Sequence, residues 1–197
     1  MKKKIFIIIF FILGLTQKSF SYSSDPKQFI QEIVDEAKKV LIEANSKEFK
    51  TKELSEMALE TVDIRGVAFY TLGKYRKKLN DEQMQKYLSL FEKYFLKSFT
   101  SRLTDYSDPK IEVVSADVLN DKYTIVKSLL LATDKKPEVK IEWRVYTKNP
   151  EKPLIRDLII EGLSLARTQK EEFASVIDSN NGDVTKLFIS LENFIAK

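Results

Sequence analysis

The sequence contains no cysteine and no histidine, and these two absences exclude several classes of protein at once. Without cysteine there is no disulfide, no thiol nucleophile and no lipid-modified N-terminal cysteine. Without histidine there is no histidine-based catalytic triad. The usual zinc ligand sets and haem ligation by these residues are excluded as well. Neither a Walker phosphate loop nor a G-x-G-x-x-G motif occurs. We therefore expect no metal, no cofactor and a fold held together by core packing alone.

The remaining route to catalysis would be a pair of carboxylates, and Asp157 with Glu161 is the pair to consider. Four residues apart on one strand, they would be separated by about 13 Å. Paired acid and base carboxylates act at separations of about 5 to 9.5 Å. We expect each of them to bond a nearby Lys, Arg or backbone amide instead. The sequence therefore predicts no catalytic residue and a protein that is not an enzyme.

The N-terminus has the layout of a secretory signal peptide. Lys2–Lys4 precede the apolar run Ile5–Leu15, and cleavage is expected after Ser21 or Ser23. A helix over this run would span about 16 Å, which is too short for a hydrocarbon core of about 30 Å. We therefore favour a cleaved leader at residues 1–23 over a membrane anchor, followed by one domain at residues 24–197.

Removal of this leader would leave a chain without net charge. Four of the 33 basic residues precede Ser24, so that 29 basic and 29 acidic residues would remain. A nucleic-acid partner would favour a net basic surface, and we expect none.

Apolar periodicity predicts helices first, then strands, then helices again. The expected helices are 26–44, 49–61, 64–79, 81–106, 168–178 and 183–195, and the expected strands are 111–118, 123–132, 139–146 and 154–162. Short turns between successive strands indicate an antiparallel meander. The predicted fold class is α+β, with the helices packed on one face of a curved antiparallel sheet.

Several local details follow from the same patterns. Asp25, Asp63 and Asn80 are predicted N-caps, and Thr168 with Glu171 is predicted to open the fifth helix as a capping box. Gly66 and Gly73 are placed inside the third helix. In the last hairpin, Val139, Ile141, Trp143 and Val145 are predicted to share one face of their strand. On the return strand, Leu158 and Ile160 would oppose Ile155, Asp157, Ile159 and Glu161.

The fourth helix carries an aromatic-rich stripe that we expect to face the sheet. Its members are Met84, Tyr87, Leu88, Phe91, Tyr94, Phe95, Phe99 and Leu103. So many large apolar side chains against one sheet suit a cavity for an apolar ligand, and they suit a filled core equally well.

Three segments together resemble the MlaC family. They are DIRGVAFYTLGKYRKKLNDEQMQKYLSLFEKY, the strand IEWRVY and RDLIIEGLSLARTQKEEFASVI. The family-motif residues, which we interpret as structural, are Asp63, Gly73, Asp157, Glu161, Gly162, Ser164 and Thr168.

This resemblance implies a periplasmic carrier, also known from toluene tolerance, that shuttles phospholipid between the outer and inner membranes and so maintains outer-membrane lipid asymmetry. Acyl chains would occupy an apolar pocket between helices and sheet, with the headgroup exposed. The implied partners are an outer-membrane lipoprotein–porin complex and an inner-membrane ABC transporter with a membrane-anchored lipid-binding subunit.

The candidate pocket-wall residues are the apolar ones on the inward faces of these elements. They are Val67, Tyr70, Leu72, Phe91, Phe95, Val126, Leu130, Trp143, Val145, Leu158 and Ile160. Each of them also suits an ordinary core. The alternatives to a carrier are a non-catalytic periplasmic adaptor with a filled core and a carboxylate-based enzyme on a cone-shaped α+β scaffold.

Overall fold

The computed structural model describes residues 22–43, 46–104, 108–134 and 136–197. The leader expected at residues 1–23 lies outside these ranges except for Tyr22 and Ser23. It therefore stays a prediction.

The described chain forms a helical N-terminal half, an antiparallel sheet and two C-terminal helices. The helices are α1 (Pro26–Glu43), α2 (Lys47–Thr61), α3 (Ile64–Leu72), a 3₁₀ helix (Gly73–Lys78), α4 (Asp81–Leu103), α5 (Leu165–Asp178) and α6 (Thr185–Ala196). The strands are β1 (Ile111–Asn120), β2 (Tyr123–Leu130), β3 (Val139–Tyr146), β4 (Leu154–Ile160) and β5 (Leu163–Ser164). They pair in chain order, each antiparallel to the next. The predicted α+β meander is confirmed, and the two-residue strand β5 was not expected.

The predicted helix starts are confirmed where they rest on local capping. Asp25 accepts a hydrogen bond from the Gln28 amide at 2.8 Å, and Asp63 accepts one from the Gly66 amide at 2.8 Å. Asn80 and Gln83 exchange the two hydrogen bonds of a capping box at the start of α4. Such caps need only neighbouring residues, which is why the sequence reveals them.

Two predicted helix boundaries are wrong. Gly73 does not lie inside a helix: its φ of 54° ends α3 and starts the 3₁₀ helix. Thr168 does not cap α5. The N-cap is Ser164, whose hydroxyl accepts a hydrogen bond from the Arg167 amide. The Thr168 hydroxyl instead donates to the Ser164 carbonyl at 3.0 Å. The positive φ of Gly73 ends α3, and the hydroxyl of Ser164 caps the first turn of α5.

The predicted alternation along β4 is wrong at its start. Val145 pairs with Ile155 and Arg144 pairs with Asp157, so Arg156 is the extra residue of a β-bulge. Ile155 therefore shares the face and the buried cluster of Val145, while Asp157 lies on the opposite face.

Two hydrophobic cores organise the molecule. The sheet-side core joins α1 and α2 to one face of the sheet through Val113, Val126, Val145 and Ile155. The helical core takes its buried side chains from α3, the 3₁₀ helix, α4, α5, α6 and the residue before α6. Val62 packs against both cores, at the point where they meet.

The aromatic stripe of α4 belongs mainly to the helical core, so its predicted packing on the sheet is wrong over most of its length. Tyr87 and Phe91 are buried among α3, α5 and α6. Phe99 and Leu103, at the end of the helix, pack against the sheet-side core. The stripe is wide enough to pack against both cores. Only the tertiary arrangement decides which of its residues pack against which core.

Among the described residues, no helix is long and apolar enough to span a membrane.

Candidate ligand-binding site

A cavity of about 370 Å³ lies where α3, the start of α5, the end of β1 and the face of β2–β4 opposite α1 come together. Its lining residues are Gly66, Val67, Tyr70, Leu119, Asn120, Tyr123, Arg144, Arg156, Asp157 and Ala166. Ligand pockets in proteins typically measure about 300 to 1,000 Å³. The cavity is therefore large enough for a small ligand or part of a larger one, and its wall combines apolar and charged groups.

The N-terminus of α3 forms one wall of the cavity, and Asp63 fixes its position. One Asp63 oxygen caps the helix at the Gly66 amide, while the other accepts from Arg156. A Cβ at position 66 would overlap the Asp63 carboxylate, so glycine is needed there. The buried Val67 and the exposed Tyr70, further along the same helix, line the cavity.

Arg156, the bulged residue of β4, uses most of its donors within the fold. Its Nε and Nη2 contact the Asp63 carboxylate at 2.7 and 2.6 Å, and its Nη1 donates to the Tyr123 hydroxyl at 2.9 Å. The guanidinium also lies over the Tyr146 ring, 3.6 Å from its centre. Burial alone would lower the pKa of Arg156, but the hydrogen bonds to Tyr123 and Asp63 outweigh burial and raise that pKa. Arg156 is thereby held charged as a link between the sheet and α3.

Asp157 is buried at the corner between β4 and α5. Its oxygens accept hydrogen bonds from the Ser164 hydroxyl at 2.6 Å and the Ala166 amide at 2.9 Å. A carboxylate at a helix N-terminus is also favoured by the helix dipole. Asp157 therefore anchors α5 beside the cavity, which leaves it little capacity for acid–base chemistry.

Arg144, on β3, is bound less completely than Arg156. Its one ion pair joins Nη1 to Asp157 Oδ2 at 3.5 Å. Its Nε is buried without a hydrogen-bond partner, alone in this respect among the side-chain atoms of the described residues. Arg144 thus brings to the cavity a positive charge with unused donors.

The eleven predicted pocket residues are divided among several places. Val67 and Tyr70 line the cavity. Leu72 and Phe91 are buried in the helical core, with Phe95 packed against it. Val126 and Val145 are buried in the sheet-side core, with Trp143 packed against it. Leu130, Leu158 and Ile160 are half-buried on their strands. Contact of these residues with a lipid stays a prediction.

The predicted pocket wall lacks the polar part of this site, because its candidate residues were the apolar ones on the inward faces of the elements. Neither Arg144 nor Arg156 was among the predicted site residues. The pairing of Arg144 with Asp157 across β3 and β4 was the available signal. It requires the bulge to be placed correctly, and the sequence pattern did not show the bulge.

The motif residues after β4 form a tight corner. Glu161 and Gly162 have φ values of 48° and 82°, and the Glu161 carboxylate accepts from the Lys140 amide at 2.5 Å. Both residues have a positive φ, which glycine adopts more easily than glutamate does. In the part of the chain that the structure describes, no three His, Cys, Asp or Glu residues are grouped so as to hold a metal.

Comparison with known proteins gives a matching family and matching solved structures. The family model described as MlaC protein matches residues 26–193. A phospholipid-binding protein from Ralstonia solanacearum, solved in complex with a phospholipid, superposes with a TM-score of 0.72 at 19% sequence identity. The alignment covers 88% of this chain and 97% of that one. At this identity, the structural likeness establishes a shared fold.

Proposed function

This chain belongs to the MlaC family, since the family model covers residues 26–193, and we propose that it is a periplasmic carrier of phospholipid. It would bind acyl chains, shuttle lipid between the outer and inner membranes and thereby maintain outer-membrane lipid asymmetry. After cleavage of the leader, the rest of the chain, beginning at Tyr22 or at Ser24, would act as one exported domain.

The observation that carries this proposal is the mixed character of the cavity. Val67 and Ala166 give it apolar walls, Tyr70 and Leu119 are exposed lining residues, and two arginines supply positive charge. An amphiphile with an apolar chain and an anionic group matches that combination. A purely apolar or purely polar ligand would leave half of the wall without a complementary partner.

Physical chemistry explains why such a ligand needs an enclosing carrier. Exposure of a methylene group to water costs about 0.8 kcal/mol, so a sixteen-carbon chain costs on the order of 12 kcal/mol. Two such chains do not cross an aqueous compartment unprotected at a useful rate. The apolar side chains that continue from Val67 through Val62 to both cores are the candidates for covering the rest of a chain.

Family membership supports the choice of partners. We propose that the chain receives or delivers lipid while docked to an outer-membrane lipoprotein–porin complex and to an inner-membrane ABC transporter with a membrane-anchored lipid-binding subunit. An enzymatic role is not proposed, because Asp157 is committed to Ser164 and Ala166 and no second acid adjoins it in the cavity lining.

A second candidate is a non-catalytic adaptor with a filled core. The observation in its favour is that Leu72, Phe91, Val126 and Val145, all expected to line a lipid pocket, are buried in two packed cores. In that case the cavity would not hold a lipid, and the protein would act through its surface alone.

Native mass spectrometry of the exported protein, with extraction of bound lipid, separates these candidates. We expect a one-to-one adduct of phospholipid mass. Tyr70→Asp places a charge in the cavity wall at an exposed position and should reduce the adduct about tenfold. Leu163→Asp, at a similarly exposed position outside the cavity lining, is the matched control and should leave the adduct unchanged. A clean unliganded mass, with no uptake from phospholipid vesicles, would replace the carrier with the adaptor.

A further inference from the structure

We propose that Arg144 binds the anionic group of the ligand, a phosphate diester or a carboxylate. The chain of that ligand would lie against the apolar wall of the same cavity. This inference rests on the proposed lipid-binding function and extends it, because it assigns to one side chain the recognition of the polar end.

The two arginines of the cavity wall differ in how many of their donors the fold already uses. Arg156 directs Nε, Nη1 and Nη2 to Asp63 and Tyr123 and stacks on Tyr146. Arg144 has one ion pair at 3.5 Å and a buried Nε without an acceptor. A ligand anion would therefore find free donors at Arg144, whereas at Arg156 it would have to displace existing bonds.

Asp157 does not satisfy Arg144. The Asp157 oxygen nearest to Arg144 already accepts from the Ser164 hydroxyl at 2.6 Å, and the other oxygen accepts from the Ala166 amide at 2.9 Å. Movement of Asp157 toward Arg144 would break the anchor of α5. The carboxylate thus attracts Arg144 and holds it at the wall without occupying its hydrogen-bonding fork.

The surroundings of Arg144 favour a monoanionic group joined to a chain. A guanidinium presents paired N–H donors that fit the two oxygens of a phosphate or a carboxylate. Val67 and Ala166 line the same cavity, so that an anion at Arg144 would leave its attached chain beside apolar side chains.

The test compares three amphiphiles with the same palmitoyl chain: lysophosphatidylglycerol, palmitate and monopalmitoylglycerol. The first carries a phosphate diester, the second a carboxylate and the third no charge. Equilibrium binding to the exported protein is measured for the wild type, Arg144→Gln, Arg144→Lys and, as a control outside the cavity lining, Arg102→Gln. Thermal unfolding of each variant is measured alongside.

We expect Arg144→Gln to weaken binding of an anionic amphiphile about tenfold to a hundredfold while leaving monopalmitoylglycerol unchanged. Arg144→Lys keeps the charge and loses the fork, so it should give an intermediate loss. Arg102→Gln removes an exposed positive charge outside the cavity lining and should preserve the affinity for all three amphiphiles. A loss confined to lysophosphatidylglycerol identifies phosphate as the recognised group, and a loss confined to palmitate identifies the carboxylate.

Equal affinities of wild type and Arg144→Gln for all three amphiphiles would overturn the role of Arg144 and leave the carrier function intact. An equal loss for all three would have the same meaning, because it would show that Arg144 only maintains the cavity. Failure of the wild type to bind any of the three would overturn the proposed function itself.

Discussion

At the scale of single residues, Asp63 joins a helix to the sheet through both of its carboxylate oxygens. It caps α3 at Gly66 and forms the ion pair with Arg156, which belongs to the sheet. Both of its oxygens therefore stabilise the fold, and through Arg156 it determines how α3 lies against β4. The free energy that such an ion pair contributes depends on its burial, because solvent weakens exposed pairs.

Asp63→Ala should lower the free energy of unfolding by about 2 kcal/mol, because it removes a helix cap and leaves Arg156 without its partner. Asp117→Ala is a suitable control, because Asp117 pairs with Lys127 at 2.7 Å with both side chains about half exposed. That change should cost at most about 0.5 kcal/mol. Denaturant titration of both variants measures the difference, and equal losses would contradict the role given to Asp63.

The lowered pKa of Asp178 predicts how the stability of the fold depends on pH. The hydrogen bond from the buried Tyr75 hydroxyl, together with the nearby Lys74, lowers the pKa of Asp178 below its ordinary value of 3.8. A carboxyl whose pKa is lower in the folded state stabilises the fold above its unfolded pKa. That contribution disappears as the pH falls through the folded pKa.

Unfolding measured between pH 6 and pH 2 should therefore show a smaller acid-induced loss of stability in Asp178→Asn than in the wild type. The difference should develop below about pH 4, where an unperturbed aspartate takes up its proton. Parallel stability curves for the two proteins over this range would refute the coupling between Asp178 and Tyr75.

At the scale of elements, α3 shows a conflict between helix propensity and tertiary fit. A glycine inside a helix normally costs about 1 kcal/mol relative to alanine. At Gly66, however, an alanine Cβ would collide with the Asp63 carboxylate, which is held by both the helix cap and Arg156.

Gly66→Ala should therefore lower the free energy of unfolding, by about 1 to 2 kcal/mol, although it improves helix propensity. The same change made in the Asp63→Ala background should be stabilising, because the obstructing carboxylate is gone. A thermodynamic cycle of the four proteins measures this reversal of sign. Stabilisation by Gly66→Ala in the wild-type background would show that Asp63 moves aside at little cost.

The ends and faces of helices and strands were predictable where they depend on neighbouring residues in the sequence. The caps at Asp63 and Asn80, and the alternation along β3, depend on residues within a few positions of one another. The bulge at Arg156 was not predictable in this way, because it is defined by pairing with another strand and by a bond to Asp63, 93 positions away in the chain. The candidate site follows the same rule: Val67 and Tyr70 were anticipated from helix periodicity, and Arg144 was not.

At the scale of the whole molecule, the first described residues bear on where the leader would end. The Tyr22 ring packs edge-on against the buried Phe29, and its hydroxyl donates to Glu36 at 2.5 Å. The Ser23 amide donates to Glu32 at 2.7 Å. Of the two cleavage positions expected from the sequence, only the one after Ser21 keeps these contacts.

N-terminal sequencing of the exported protein is therefore expected to begin at Tyr22. Tyr22→Ala should lower the unfolding temperature of the exported form, because a part-buried ring and its hydrogen bond are lost together. A mature chain beginning at Ser24 would mean that the contacts of Tyr22 and Ser23 play no part after export.

Val62 and Asp63 lie at the boundary between the two cores, and this position has a consequence for amide hydrogen exchange. Val62 forms an isolated parallel bridge with Ile155, and the Asp63 amide donates to the Ile155 carbonyl at 2.9 Å. Protection of that one amide thus requires the helical body and the sheet to stay together. Its deuterium uptake measures how often they separate, and a bound ligand that spans both bodies should slow it more than it slows the amides within either core.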